Sequence, residues 1–166
     1  KPRNRFATHS HGIFAMDGSN PLTMLSMARE QLKAYPTVNF IQGESRTASP
    51  ETAGFSIALT DGQIIHGKKL ILAFGLSDEL PAIPGIQERW GISVLHCPYC
   101  HGYEFSEQPL GVLYTYPMSI HQAQLIPEWG PTTFFLNGTN EVDPSLLIKL
   151  EERGVTIEPE AVSRLE

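Results

Sequence analysis

Cysteine is scarce in this chain, with two among 166 residues. That scarcity excludes a small secreted domain stapled by several disulfides and favours a cytoplasmic setting in which one pair of thiols reacts. Basic residues form no run, and the net charge is -6 with an isoelectric point near 5.5. A general nucleic-acid binder is thereby excluded. No apolar stretch approaches the roughly 20 residues that cross a bilayer, and no secretory leader is visible. Glycine is plentiful at 14 residues, yet Gly-x-Gly occurs nowhere, so neither fingerprint that cradles a dinucleotide is present. Repeats and low-complexity tracts are missing too. What is there, 41% hydrophobic and 18% charged residues, is the composition of a soluble globular protein able to bury a core. The chain starts at Lys1 rather than Met and opens into a polar stretch, so it reads as a piece of a longer protein.

Residues 1–18 mix basic residues, histidines and glycines without a period and read as loop. Asn20-Pro21 then caps a helix over 21–35, with Leu22, Leu25, Ala28, Leu32 and Tyr35 at helical spacing. Val38 to Ile41 reads as a short strand. Phe55 to Leu59 and Ile64 to His66 flank Asp61-Gly62, a hairpin signal. Leu70 to Gly75 is a continuous apolar run, as expected of a strand buried on both faces. Pro81, Pro84 and Gly85 make 77–86 the natural linker. Beyond it, strands at 110–114, 132–136 and 155–157 alternate with helices at 119–126 and after Asp143-Pro144, the second stopped by Gly154. That alternation is the signature of a parallel α/β sheet.

Both cysteines lie in His96-Cys97-Pro98-Tyr99-Cys100-His101. Two thiols at this spacing close into a disulfide across one turn, with reactivity open to tuning. Three other chemistries share the pattern. A zinc site needs four ligands, and no second Cys pair or His-x-x-x-His completes one, so no metal is expected. Cys97-x-x-Cys100-His101 matches the c-type haem attachment, but here it sits between a proline-rich linker and an α/β domain. Cys-Pro-Tyr-Cys is also the glutaredoxin tetrapeptide, which opens a long helix near an N-terminus. Here about one hundred residues precede it, and Gly102 and Pro109 favour a turn and a new strand.

The order of these motifs resembles the low-molecular-weight thioredoxin reductase family of flavoproteins. Leu70 to Gly75 followed by Pro81 and Pro84-Gly85 looks like the Ala-Thr-Gly strand of that family, with Phe74 replacing Thr. The pair at 97–100 sits where the family keeps its redox-active CxxC, and Cys-Pro-Tyr-Cys-His-Gly-Tyr-Glu is closest to a branch containing dithiol oxidases. The resemblance implies an α/β fold of two Rossmann-like, three-layer domains, both incomplete in this chain. Residues 1–80 would belong to an FAD-binding domain and 81–166 to an NAD(P)-binding-like domain. FAD is the implied cofactor, with Arg3, Asn4, His11, Ala73, Phe74 and Gly75 as its candidate contacts. Cys100 would face the flavin, Cys97 would exchange with substrate, and His101 would stand in the position of the family's acidic proton donor. An imidazole there suits proton transfer to and from a thiol near neutral pH. His96 is a candidate second base. The implied partners are a thioredoxin-like protein or a small-molecule dithiol or disulfide, with ferredoxin a candidate electron donor and a homodimer the family habit.

The chain departs from that pattern in two places. The FAD fingerprint would lie upstream of Lys1. The second departure lies within the chain, where Tyr114-Thr115-Tyr116-Pro117 stands in place of the glycine-rich turn that brings NADPH to a helix N-terminus. Leu136 to Asn140 has no arginine for a 2′-phosphate. The expectation is an FAD-dependent thiol/disulfide oxidoreductase without a standard NADPH site. Three alternatives stand beside it: a dithiol oxidase using dioxygen, a glutaredoxin-like protein, and a binding module that kept the fold and lost turnover.

Overall fold

Asp61 and Gly62 reverse the chain where the alternation of apolar residues requires it. Gly62 takes φ +90°, the Asp61 carboxylate accepts from the Gln63 amide at 2.9 Å, and Leu59 N–H donates to Gln63 O at 2.8 Å. The strands so joined are β2 (Gly54–Leu59) and β3 (Ile64–Gly67), paired antiparallel with Ile57 opposite Ile65. A further strand, β1 (Ser45–Glu51), pairs antiparallel with the other edge of β2. Gly54 turns β1 into β2 at φ +144°, and a Cβ there would lie 2.3 Å from Gly67 O, so only glycine fits.

The computed structural model describes residues 3–166, with side chains from Arg5 onward. Two compact units divide the chain: Leu22–Ser77 with Arg3, and Asn4–Pro21 with Asp78–Glu166. The first unit holds helix α1 (Pro21–Lys33, which begins in the other unit) and the β1–β3 sheet. The helix forms where the apolar spacing places it, but its face stays open, with Leu22 and Leu25 about half exposed at 50% and 49%.

Two expected strands are not formed. Residues 38–41 are irregular, and Leu70 to Gly75 has no ladder, with Ile71 89% exposed and Phe74 82% exposed. A strand buried on both faces depends on neighbours on each side. Among the described residues the strands of this unit pair in the order β1-β2-β3, and neither apolar run joins an edge of that sheet.

The second unit contains a parallel sheet in the order β4 (Leu110–Leu113), β5 (Thr132–Phe135), β6 (Thr156–Glu158). Helices α4 (Met118–Leu125) and α5 (Pro144–Glu152) connect these strands, as the alternating pattern requires. Asp143 caps α5 by accepting the Ser145 amide at 2.8 Å, Pro144 fills the first helical position, and Gly154 follows the helix at φ +80°. Val112, Tyr114, Phe134, Leu136 and Val155 from the sheet pack with Ala123 of α4 and Leu150 of α5. Phe134 and Leu150 are fully buried, and the Tyr114 and Phe134 rings meet edge to face at 6.3 Å.

Before this sheet stand two short helices, α2 (Ile86–Arg89) and α3 (Pro98–His101). The N-terminal residues fold against the same unit. Gly91, at φ +79°, lies so close to the Phe6 ring that a Cβ would come within 2.4 Å of it.

Candidate active site

Cys97 precedes α3 in extended geometry, φ -136° and ψ 111°, and Pro98 takes the first helical position. Cys100 N–H donates to Cys97 O at 3.3 Å and Gly102 N–H to Pro98 O at 2.7 Å, which closes the turn over the four residues of α3. The helix stops there, where a glutaredoxin-type helix would continue. Gly102 is buried flat against Trp129. Its neighbourhood is closed further down the chain, where Glu107, at φ +64°, donates its amide to Trp129 O at 2.7 Å and the chain enters β4. The dithiol therefore sits on a single turn fixed to the front of the parallel sheet. Cys97 is half-buried, Cys100 is exposed, and neither sulfur is in a disulfide.

Two groups of rings involve the residues on either side of this turn in the chain. His96 lies 5.9 Å from Trp90 and 6.0 Å, edge-on, from His101. The His96 carbonyl accepts the Gln122 side-chain amide of α4 at 2.9 Å. The His11 ring packs on Tyr103 at 4.7 Å, with Nδ1 3.5 Å from the Asp17 carboxylate and Nε2 3.9 Å from Glu104 Oε1. The Gly12 amide donates to Asp17 at 2.8 Å and, with His11, holds that carboxyl below its usual range. Glu104 Oε2 is buried and meets no donor among the described residues. This oxygen is an acceptor that a donor from a bound group would satisfy.

The structure thus brings His96, Cys97, Cys100, His101 and His11 into one unit. Ala73, Phe74 and Gly75 belong to the other, in a stretch without regular secondary structure where Gly75 takes φ +74°. The side chains of Arg3 and Asn4 lie outside the described residues; their backbone forms a 3-10 turn, Arg3–Phe6. Trp90, Tyr103, Glu104 and Gln122 were not singled out by the sequence. Tyr103 and Glu104 close the Cys-Pro-Tyr-Cys-His-Gly-Tyr-Glu string, which was their available signal. Trp90 and Gln122 reach the site through tertiary packing and carry no local one.

At the other end of β4 the chain turns into α4 through Thr115 to Pro117. The buried Ser119 hydroxyl accepts the Thr115 amide at 3.1 Å, with the Tyr116 amide at 3.5 Å. Ser119 N–H donates to Tyr116 O at 2.9 Å and Ile120 N–H to Pro117 O at 3.2 Å. The amides of Thr115, Tyr116, Ser119 and Ile120 are therefore engaged within the chain. Beside it is an open cleft of about 530 Å3 whose walls include Glu79, Tyr114, Tyr116, Asn137 and Thr139. Asn137 and Thr139 already accept the amides of Val162 and Glu141.

A dithiol turn placed directly before a parallel β–α–β–α–β unit defines the FAD/NAD(P)-binding fold class of disulfide oxidoreductases. The chain is similar to thioredoxin reductase tcpT of Claviceps purpurea, 37% identical over 119 residues, and to thioredoxin reductase aclD of Aspergillus oryzae, 30% identical over 168 residues. These matches cover 70% and 95% of this chain, which spans 37% and 54% of the two reductases. A solved oxidoreductase from Agrobacterium tumefaciens matches the whole chain at 42% identity and a TM-score of 0.89, over 56% of that protein. No protein-family model matches. Over its span, in sequence and in fold, the chain is thioredoxin reductase-like.

Proposed function

We propose that this chain carries the reacting dithiol of an FAD-dependent thiol/disulfide oxidoreductase of the atypical branch, one that does not use NADPH in the usual way. The observation that carries the reading is the Cys97–Cys100 turn, reachable at Cys100 and flanked by two imidazoles, in a thioredoxin reductase-like fold. In the reducing direction the Cys97 thiolate attacks a substrate disulfide, breaking its S–S bond and releasing one substrate thiol. Cys100 then attacks the Cys97 sulfur of the mixed disulfide, releasing the second thiol and leaving the Cys97–Cys100 disulfide. His101 takes the proton from the attacking thiol and gives it to the departing one. The same steps in reverse oxidise a dithiol.

FAD, when bound, supplies the two-electron donor or acceptor with which the dithiol equilibrates. The second unit offers His11, Tyr103 and the unsatisfied Glu104 Oε2 beside the turn, a donor-and-acceptor set that fits a heteroaromatic ring with N–H groups. Ala73 to Gly75, with Arg3 and Asn4, are the further contacts that the family resemblance assigns.

Support for nicotinamide independence comes from the β4–α4 turn. A pyrophosphate needs free backbone donors at a helix N-terminus, and here Ser119 Oγ, Tyr116 O and Pro117 O engage the amides of Thr115, Tyr116, Ser119 and Ile120. The adjoining cleft contributes Glu79 where a 2′-phosphate needs a cation. Ferredoxin as donor, or dioxygen as acceptor in an oxidase, are the partners consistent with this. A thioredoxin-like protein or a small dithiol is the substrate, and a cytoplasmic homodimer completes the reading. Anaerobic mixing of the flavin-loaded protein with NADPH is expected to leave its yellow absorbance unchanged; rapid bleaching overturns nicotinamide independence. Cys97→Ser is expected to abolish exchange with substrate while flavin reduction or oxidation by Cys100-independent routes persists. Reduction by ferredoxin followed by thioredoxin turnover supports a reductase. Peroxide formed from a small dithiol supports an oxidase.

A further inference from the structure

The β4–α4 turn sets the position of α4, and α4 reaches the residue that precedes the dithiol. Ser119 Oγ closes the β4–α4 connection, and Ala123, fully buried, seats the helix on the sheet. One turn along the same helix, Gln122 is half-buried and donates to the His96 carbonyl at 2.9 Å. His96 directly precedes Cys97. Its ring lies 5.9 Å from the Trp90 ring and 6.0 Å, edge to face, from the His101 ring. The chain entering the reactive turn is therefore tied at its backbone by Gln122 and at its side chain by two rings.

We infer that Gln122 is a positioning residue for the dithiol: through the His96 carbonyl it fixes the extended geometry of Cys97 and, through the His96 ring, the approach of His101. The helix that carries a dinucleotide in related folds here braces the redox turn. This rests on the reading of Cys97 and Cys100 as the reacting pair.

Gln122 donates its side-chain amide to the carbonyl of His96, the residue that leads into the extended Cys97 and Pro98. Removing that donor weakens the hold on the peptide that leads into Cys97. The core beneath α4 does not depend on this bond, because Ala123 and Ile120 make the packing contacts. Thiol positioning and fold stability are therefore separable.

The test is alkylation of the reduced, full-length holoprotein by iodoacetamide, with the rates at Cys97 and Cys100 resolved by mass spectrometry. Gln122→Met keeps length and removes the donor; Gln122→Lys keeps a donor; Gln122→Ala is a second deletion in case the Met variant does not fold. Loss of one hydrogen bond predicts a roughly fivefold change in the Cys97-to-Cys100 rate ratio for Met and Ala. Lys is expected to return the ratio toward wild type, and thermal unfolding to stay near wild type in all three. An unchanged ratio in the Met and Ala variants, or a ratio that follows unfolding temperature and is not rescued by Lys, overturns the positioning role. Alkylation needs no turnover. A wild-type protein that exchanges with no disulfide therefore sinks the functional reading alone.

Discussion

Gly102 ends the redox turn at a point with no room for a side chain. A Cβ there would lie 2.5 Å from the Trp129 ring and 2.6 Å from the Pro98 carbonyl. Its φ of -58° is one that any residue adopts, so the constraint is steric and not conformational. Gly102→Ala must push either Trp129 or the turn aside, and overpacking of this kind costs about 1–3 kcal/mol. We expect a lower unfolding temperature, measured by calorimetry, together with altered iodoacetamide reactivity at Cys100. Normal values of both would mean that Trp129 yields freely. In the sequence Gly102 shows only as a residue that halts a helix. Its partner arrives from beyond β4, and no local pattern announces that contact. The two cysteines and their histidines were legible because reactive residue types at short spacing carry their own signal; Trp90 and Gln122 were not, because their roles come from packing.

Among the elements, α5 was the most legible, since Asp143, Pro144 and Gly154 each have a mechanism for starting or stopping a helix. Its cap also carries a pH dependence. The Ser145 amide, with Ser145 again and Lys149 behind it, holds the Asp143 carboxyl below its ordinary value of 3.8. A carboxyl lowered on folding stabilises the folded state above its unfolded pKa, and that contribution fades as pH falls through the folded value. Asp143→Ala is therefore expected to lower the unfolding temperature at neutral pH. The gap to wild type should narrow in strongly acidic solution, and a gap independent of pH would remove the cap from the account. By contrast β1 was not legible. Ser45 to Glu51 is polar, exposed and contains Pro50, and it becomes a strand because the edge of β2 supplies its partners. Leu70 to Gly75 errs in the opposite sense: hydrophobicity alone suggested a strand, and a strand without a neighbour does not form. Pairing is a property of the sheet, while capping is a property of the segment.

For the whole molecule, the distribution of buried apolar side chains sets how stability is shared. Leu59 is the buried hydrophobic residue of the first unit among the described residues, whereas the second holds Val112, Tyr114, Phe134, Leu150 and Val155 in one cluster. Burial of apolar area is the main favourable term in folding, so the parallel sheet is expected to hold the high-stability end of the chain and the β1–β3 sheet the low end. Phe134 is fully buried at the centre of that cluster, against the Tyr114 ring. Phe134→Ala removes its transfer energy and leaves a cavity, a loss of about 3–5 kcal/mol. Amide hydrogen exchange separates the consequences. In the wild-type chain the β4–β6 amides should exchange more slowly than those of β1–β3. In the variant the β4–β6 amides should speed up by the larger factor, moving toward the rates of β1–β3. If the two sheets exchange at one common rate in both proteins, they unfold as a single cooperative unit, and the uneven core does not govern how this chain opens.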